Sequence, residues 1–133
     1  MYKTRLLVFK TFVLDLSSLS KCTERKVAAI ITDDRLQQIY SIGINGGPKY
    51  QADCLCITDG KYGCIHAEIN ALIKCTDSKD NKIMICSLLP CKQCATAIVN
   101  APYRFNAVYY VDNWKDTNGL DILINAGIET QQI

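Results

Sequence analysis

Residues 66–94, HAEINALIKCTDSKDNKIMICSLLPCKQC, contain the chain's only histidine and a Cys-x-x-Cys pair. His66-Ala67-Glu68 opens an apolar, helix-like segment, and Pro90-Cys91-Lys92-Gln93-Cys94 follows a strand-like one. One imidazole and two thiolates give a metal three protein ligands, with a carboxylate two residues beyond the histidine. Structural zinc sites close with four protein ligands, whereas catalytic sites leave one position for water. The pattern therefore predicts a catalytic Zn2+ held by His66, Cys91 and Cys94, with Glu68 taking the water's proton and passing it on. A Cys-x-x-Cys pair alone also fits a zinc knuckle or a redox pair, and a lone histidine at a helix start also fits a cap. A zinc that only stabilised the fold would have no use for Glu68.

The flanking segments set the architecture. Residues 2–20 carry Leu6, Phe9, Val13, Leu16 and Leu19 at helical spacing, with Leu7, Phe12 and Leu14 widening the stripe. Ser17-Ser18-Leu19-Ser20 ends that helix. Residues 27–32 form a continuous apolar run rich in β-branched residues and read as a buried strand, Asp33-Asp34 as a turn, and residues 38–44 as the partner strand of a hairpin. Asn45-Gly46-Gly47-Pro48 stops it, and residues 49–63 read as a loop. A helix is expected over 65–76, with Ile69, Leu72 and Ile73 on one face. Residues 82–88 are a strand, and Pro90 starts a helix that buries Ala95, Ile98 and Val99. Residues 107–111 are a fourth strand, 120–126 a helix closed by Gly127, and 128–131 a last strand. Strands alternating with helices after a hairpin predict one α/β domain over 1–133, a three-layer α/β/α sandwich around a five-stranded mixed sheet.

Composition is that of an ordinary globular protein. Of 133 residues, 49% are hydrophobic and 21% charged, and the net charge of +2 predicts no nucleic-acid surface. No apolar run reaches the roughly 18 residues of a membrane span. Lys3, Arg5, Lys10 and Asp15 interrupt the apolar N-terminal residues, so no export signal is read and a cytoplasmic protein is expected. In that reducing setting the eight cysteines read as thiols and metal ligands rather than disulfides. Cys75 and Cys86 fall on apolar segments and read as core. Cys91 and Cys94 fall in a first helical turn, where the helix dipole favours thiolates.

His66-Ala67-Glu68 with Pro90-Cys91-x-x-Cys94 resembles the zinc-dependent cytidine deaminase superfamily. The resemblance implies that zinc-bound hydroxide attacks C4 of cytosine while Glu68 protonates N3 and then the departing ammonia. Gly43-Ile44-Asn45-Gly46 is similar to the Gly-Tyr-Asn-Gly motif of the deoxycytidylate (dCMP) deaminase branch, which implies conversion of dCMP to dUMP for thymidine nucleotide synthesis. The segments Ser20-Lys21-Cys22, Lys26-Val27 and Asp121-Ile122-Leu123 through Ile128 also resemble that branch. In it, Asn45 would contact the deoxyribose or base edge beside Ala67. The stretch Gly43 to Gly46 would take part in dCTP/dTTP regulation, with Ile44 departing from the usual tyrosine. The same resemblance implies a homo-oligomer, often a hexamer, and in viral members a second, structural zinc. Its ligands here would be Cys22, Cys54 and Cys64, with Cys56 completing four thiolates; otherwise the four are thiols.

A monophosphate needs cations. Arg25 and Lys26 are the candidates, with Thr23 as a hydroxyl donor and Lys115 as a further cation. Tyr110 or Trp114 would stack on the pyrimidine. Other readings of the metal motif are a deaminase that also accepts dCTP, a free-cytidine deaminase and a tRNA adenosine deaminase. The last calls for a more basic chain. A non-catalytic zinc-stabilised binding module would leave Glu68 dispensable.

Overall fold

The structure is a computed structural model that describes residues 1–50 and 64–133. Its elements are α1 (Tyr2–Ser17), β1 (Ala28–Asp33), β2 (Ile39–Ile44), α2 (Ala67–Lys74), β3 (Lys82–Leu88), α3 (Lys92–Val99), β4 (Phe105–Asp112), α4 (Asn118–Asn125) and β5 (Glu129–Gln132). The five strands form one sheet in the order β2-β1-β3-β4-β5. β1 is antiparallel to both β2 and β3, and β3, β4 and β5 are mutually parallel. Among the described residues, no helix is long and apolar enough to cross a membrane.

Topology explains where the helices lie. Because β1 is antiparallel to β2 and β3, those two run parallel to each other. The three connections β2-α2-β3, β3-α3-β4 and β4-α4-β5 all step the same way along the sheet. Crossovers of one hand stepping one way must lie on one face. Accordingly Ala29, Ile31, Met84, Cys86, Val108 and Tyr110 pack with residues of α2, α3 and α4. The alternate residues Ala28, Ile30, Ile83, Ile85 and Tyr109 face α1 through Val13, with Leu6, Phe9 and Leu16 against them. The strand period of two assigns every residue to one layer or the other.

Two helical expectations need correction. α2 is shorter than 65–76: Ile65 is bridged to Gly46, His66 is an extended N-cap, and Cys75 is extended at the other end. Its buried face carries Ala67, Glu68 and Ala71, while Ile73 stays 67% exposed. The small residues face the sheet because Gly43 on β2 lets α2 sit directly on the strand. A Cβ there would stand 2.0 Å from the Ala67 carbonyl oxygen and 2.4 Å from the Ala71 nitrogen. α3 buries Ala95 and Ile98 as expected but leaves Val99 exposed. At the end of α4, Gly127 (φ +78°) allows the Ile128 N–H to bond Leu123 O and its own N–H to bond Ile124 O. This is a Schellman cap, with Ile128 and Leu123 both in the core.

Lys82, the first residue of β3, is fully buried. Its ammonium donates to Asp77 at 2.9 Å and to the Lys79 carbonyl, and lies 4.7 and 4.3 Å from the Tyr40 and Tyr103 ring centroids. Hydrogen bonds from Lys79 and then Lys82 hold the Asp77 carboxyl well below the usual carboxylate range. A carboxyl depressed in the folded state adds stability above its unfolded pKa and loses it as pH falls through the folded value. Asp77→Ala is therefore expected to lower Tm at pH 7 more than Lys79→Ala does, because it strands the buried Lys82 charge. The Asp77→Ala deficit should shrink in thermal melts taken progressively below pH 4; a deficit independent of pH would contradict the pairing.

Candidate active site

The site lies outside the carboxyl ends of the parallel strands β2, β3 and β4, where α/β sheets commonly bind ligands. His66 caps α2 and Cys91 caps α3, both in extended conformation and neither spending its side chain on the helix. Cys94 follows in the first turn of α3 and is buried. His66 Nδ1 lies 3.1 Å from Cys94 Sγ and 3.5 Å from Cys91 Sγ, and all three ligand atoms fall within 4.8 Å of one another. Tetrahedral zinc with its usual N and S bond lengths separates such atoms by about 3.5 Å. Among the described residues, this is the group that fits a metal ion.

These groups share protons in the absence of metal. A hydrogen bond from Cys94, with His66 next, brings the Cys91 thiol down to about 3, and the same bond pushes Cys94 up. The Cys91 hydrogen bond likewise raises His66. A dication replaces those protons and releases them on binding.

Glu68 is only 4% exposed, and burial raises its carboxyl to about 7. It is not part of the ligand cluster. It lines a cavity of about 290 Å³ with His66, Cys91 and Ala67. A raised carboxyl that both accepts and gives up a proton near neutrality suits general acid–base work.

The other sequence-predicted residues divide clearly. Arg25, Asn45, Trp114, Cys22 and Cys64 line the same cavity, together with Leu88 and Leu89. The Arg25 guanidinium lies 3.8 Å from the Trp114 ring centroid. Asn45 Oδ1 accepts from Val27 N at 2.9 Å and Ser20 Oγ at 2.6 Å, and Nδ2 donates to Arg25 O at 2.6 Å. Among the described residues, Arg25 O is the acceptor that Asn45 Nδ2 meets. Lys26 lines a smaller neighbouring pocket with Ser87 and Asp112, and Thr23 and Lys115 are exposed. Tyr110 packs in the core and does not line the cavity. Within the expected regulatory stretch, Gly43 lies under α2, Ile44 packs on the α1 layer, and Gly46 bridges Ile65. Cys54 and Cys56 lie outside the described residues.

Sequence reasoning missed Gly119. A Cβ on it would stand 2.1 Å from Pro90 O and 3.0 Å from Cys91 O, so α4 holds the turn that carries the second ligand only because the residue is glycine. Leu88 and Leu89 were also missed as cavity walls; their signal was the apolar end of β3 directly before Pro90.

Comparisons with known proteins agree with this geometry. The family model of the cytidine and deoxycytidylate deaminase zinc-binding region matches residues 4–111. The dCMP deaminase of the cyanophage S-TIM5, solved in complex with dCMP and dUMP, superposes with a TM-score of 0.88 at 29% identity, covering 100% of this chain and 99% of that one. Its apo form gives 0.83 at 27% identity over the same shares. ComE operon protein 2 of Bacillus subtilis (strain 168) is 30% identical over 123 residues, 86% of this chain; the match spans 63% of that relative's length. The predicted architecture, a five-stranded mixed sheet with helices on both faces, is the one observed in the phage enzyme's fold. With a His-Cys-Cys cluster beside a buried glutamate and a family match across most of its length, the chain belongs to the cytidine and deoxycytidylate deaminase zinc-binding family.

Proposed function

We propose that this protein hydrolyses dCMP to dUMP and ammonia. The observation that carries the reading is the His66, Cys91 and Cys94 cluster beside buried Glu68 on the wall of a nucleoside-sized cavity. Zinc, when bound to those three residues, supplies a Lewis acid that lowers the pKa of a water toward neutrality. Glu68 would accept one proton as the water oxygen bonds to C4 of the cytosine and pass it to N3, then take the proton of the new C4 hydroxyl and deliver it to the amino group as the C4–N bond breaks and C4=O forms. Leu88 and Leu89 keep the cavity apolar around the base. Asn45, on the cavity wall, faces the sugar or base edge, and Arg25 supplies positive charge for the 5′-phosphate.

The test is ammonia release from dCMP, dCTP, deoxycytidine and a tRNA, each with and without dCTP or dTTP as effector. dCMP is expected to have the highest kcat/KM. Turnover of deoxycytidine alone would overturn the phosphate-bearing substrate, and turnover of dCTP at the dCMP rate would widen it to nucleotides in general. Cytoplasmic nucleotide metabolism, a homo-oligomer such as a hexamer, and triphosphate regulation through residues 43–46 belong to the same reading.

A second, structural zinc is part of this proposal. Cys22 and Cys64 both line the cavity, which supports their sharing an ion with Cys54 and Cys56. Metal analysis of the purified protein is expected to give about two zinc ions per chain, falling to about one in Cys22→Ser. A content of about one in the unaltered protein would remove the second site.

A further inference from the structure

We propose that Trp114 is the positioning residue that holds Arg25 ready for the substrate's phosphate, rather than a platform for the pyrimidine; this rests on the dCMP reading above. Arg25 is fixed at both ends. Its carbonyl accepts from Asn45 Nδ2 at 2.6 Å, and Asn45 is itself anchored through Oδ1 to Val27 and Ser20. Its guanidinium carbon lies 3.8 Å from the Trp114 ring centroid. Among the described residues, the ion pairs are those of Asp77 with Lys79 and Lys82, so Arg25 meets no carboxylate there.

A guanidinium stacked on an aromatic face keeps its N–H donors in plane and directed outward, the arrangement that grips a phosphate with two parallel bonds. The indole also favours the cation electrostatically. Trp114 and Arg25 line the cavity that Glu68 and the metal ligands also line, so the cation belongs to the reacting site. Arg25 already covers one face of the indole, and the pyrimidine is not assigned to that face.

Ordering a long side chain before binding is worth about three- to tenfold in affinity. Trp114→Leu is therefore expected to raise KM for dCMP by about three- to tenfold, with kcat within about twofold and a clearly smaller loss of kcat/KM on deoxycytidine than on dCMP. Trp114→Phe should recover most of the loss. Equal losses on dCMP and deoxycytidine, or a loss confined to kcat, would overturn the proposal in favour of base stacking or general damage to the fold. Trp114 is the chain's only tryptophan, so its fluorescence reports on the surroundings of this one ring, over which Lys115 Nζ also lies at 5.7 Å. Titration with inorganic phosphate is expected to change the emission saturably, and Arg25→Ala should abolish that response. A silent titration of the unaltered protein would overturn the proposal. If dCMP were not turned over but phosphate still moved the emission through Arg25, the substrate assignment would fall and the Arg25–Trp114 pair would stand.

Discussion

Glu68→Ala is expected to abolish deamination while leaving zinc content and fold intact. The carboxyl is buried and stands outside the ligand cluster, so its removal costs the metal no bond. What the proposed mechanism loses with it is the proton carrier for water, N3 and the amino group. One positioned acid–base group contributes about 100- to 10,000-fold, and in the proposed mechanism Glu68 serves several transfers in one turnover, so kcat should fall by at least the upper part of that range. Glu68→Gln keeps the shape without the titration and should be equally inactive. Burial raises the carboxyl to about 7, above its unfolded value, so its ionised form costs folding stability at neutral pH. Both variants are accordingly expected to melt at or above the temperature of the unaltered protein. Activity within tenfold of the unaltered enzyme in Glu68→Gln would refute the assigned role.

Gly43→Ala should be the most damaging change in the fold for its size. The added methyl would meet Ala67 O at 2.0 Å, Ala71 N at 2.4 Å and Ala71 Cα at 2.9 Å, all backbone atoms of α2. No side chain can rotate to make room, so the helix must lift from β2. Overpacking commonly costs about 1–3 kcal/mol, and a clash with a helix backbone belongs at or beyond the upper end. Because α2 carries His66 and Glu68, lifting it also spreads the ligand cluster. The expected result is a large fall in the urea midpoint together with reduced zinc retention on dialysis. Gly46→Ala is the matched control, since a Cβ there meets nothing within 4 Å. Similar midpoints for the two variants would contradict this packing role.

The strands and the metal site could be read from the sequence because each is a local pattern. Residues 82–88 are a β-branched and apolar run, and His66-x-Glu68 with Pro90-Cys91-x-x-Cys94 places the ligands at two helix starts regardless of the contacts between them. The boundaries and buried face of α2 could not be read that way. Its largest residues suggested an Ile69, Leu72 and Ile73 face; close approach over Gly43 buries Ala67 and Ala71 fully, Leu72 packs at the edge of that core, and Ile73 is left exposed. Lys82 looked like the polar start of a strand; only the fold brings Asp77, Tyr40 and Tyr103 around it. Tyr110 alternates onto the helix-covered face of β4 and is filled over by the core, whereas Trp114, just beyond the strand, reaches the cavity. Gly119 had no local signal, because its role is defined by a backbone about thirty residues away.

The most direct test of hydrolytic deamination is to incubate the zinc-loaded protein with dCMP in ¹⁸O-enriched water and analyse both products. dUMP and ammonia are expected in equal amounts, with one ¹⁸O atom at C4 of the uracil and none of this in Glu68→Gln. Absence of ammonia, or dUMP without the label, would contradict the account.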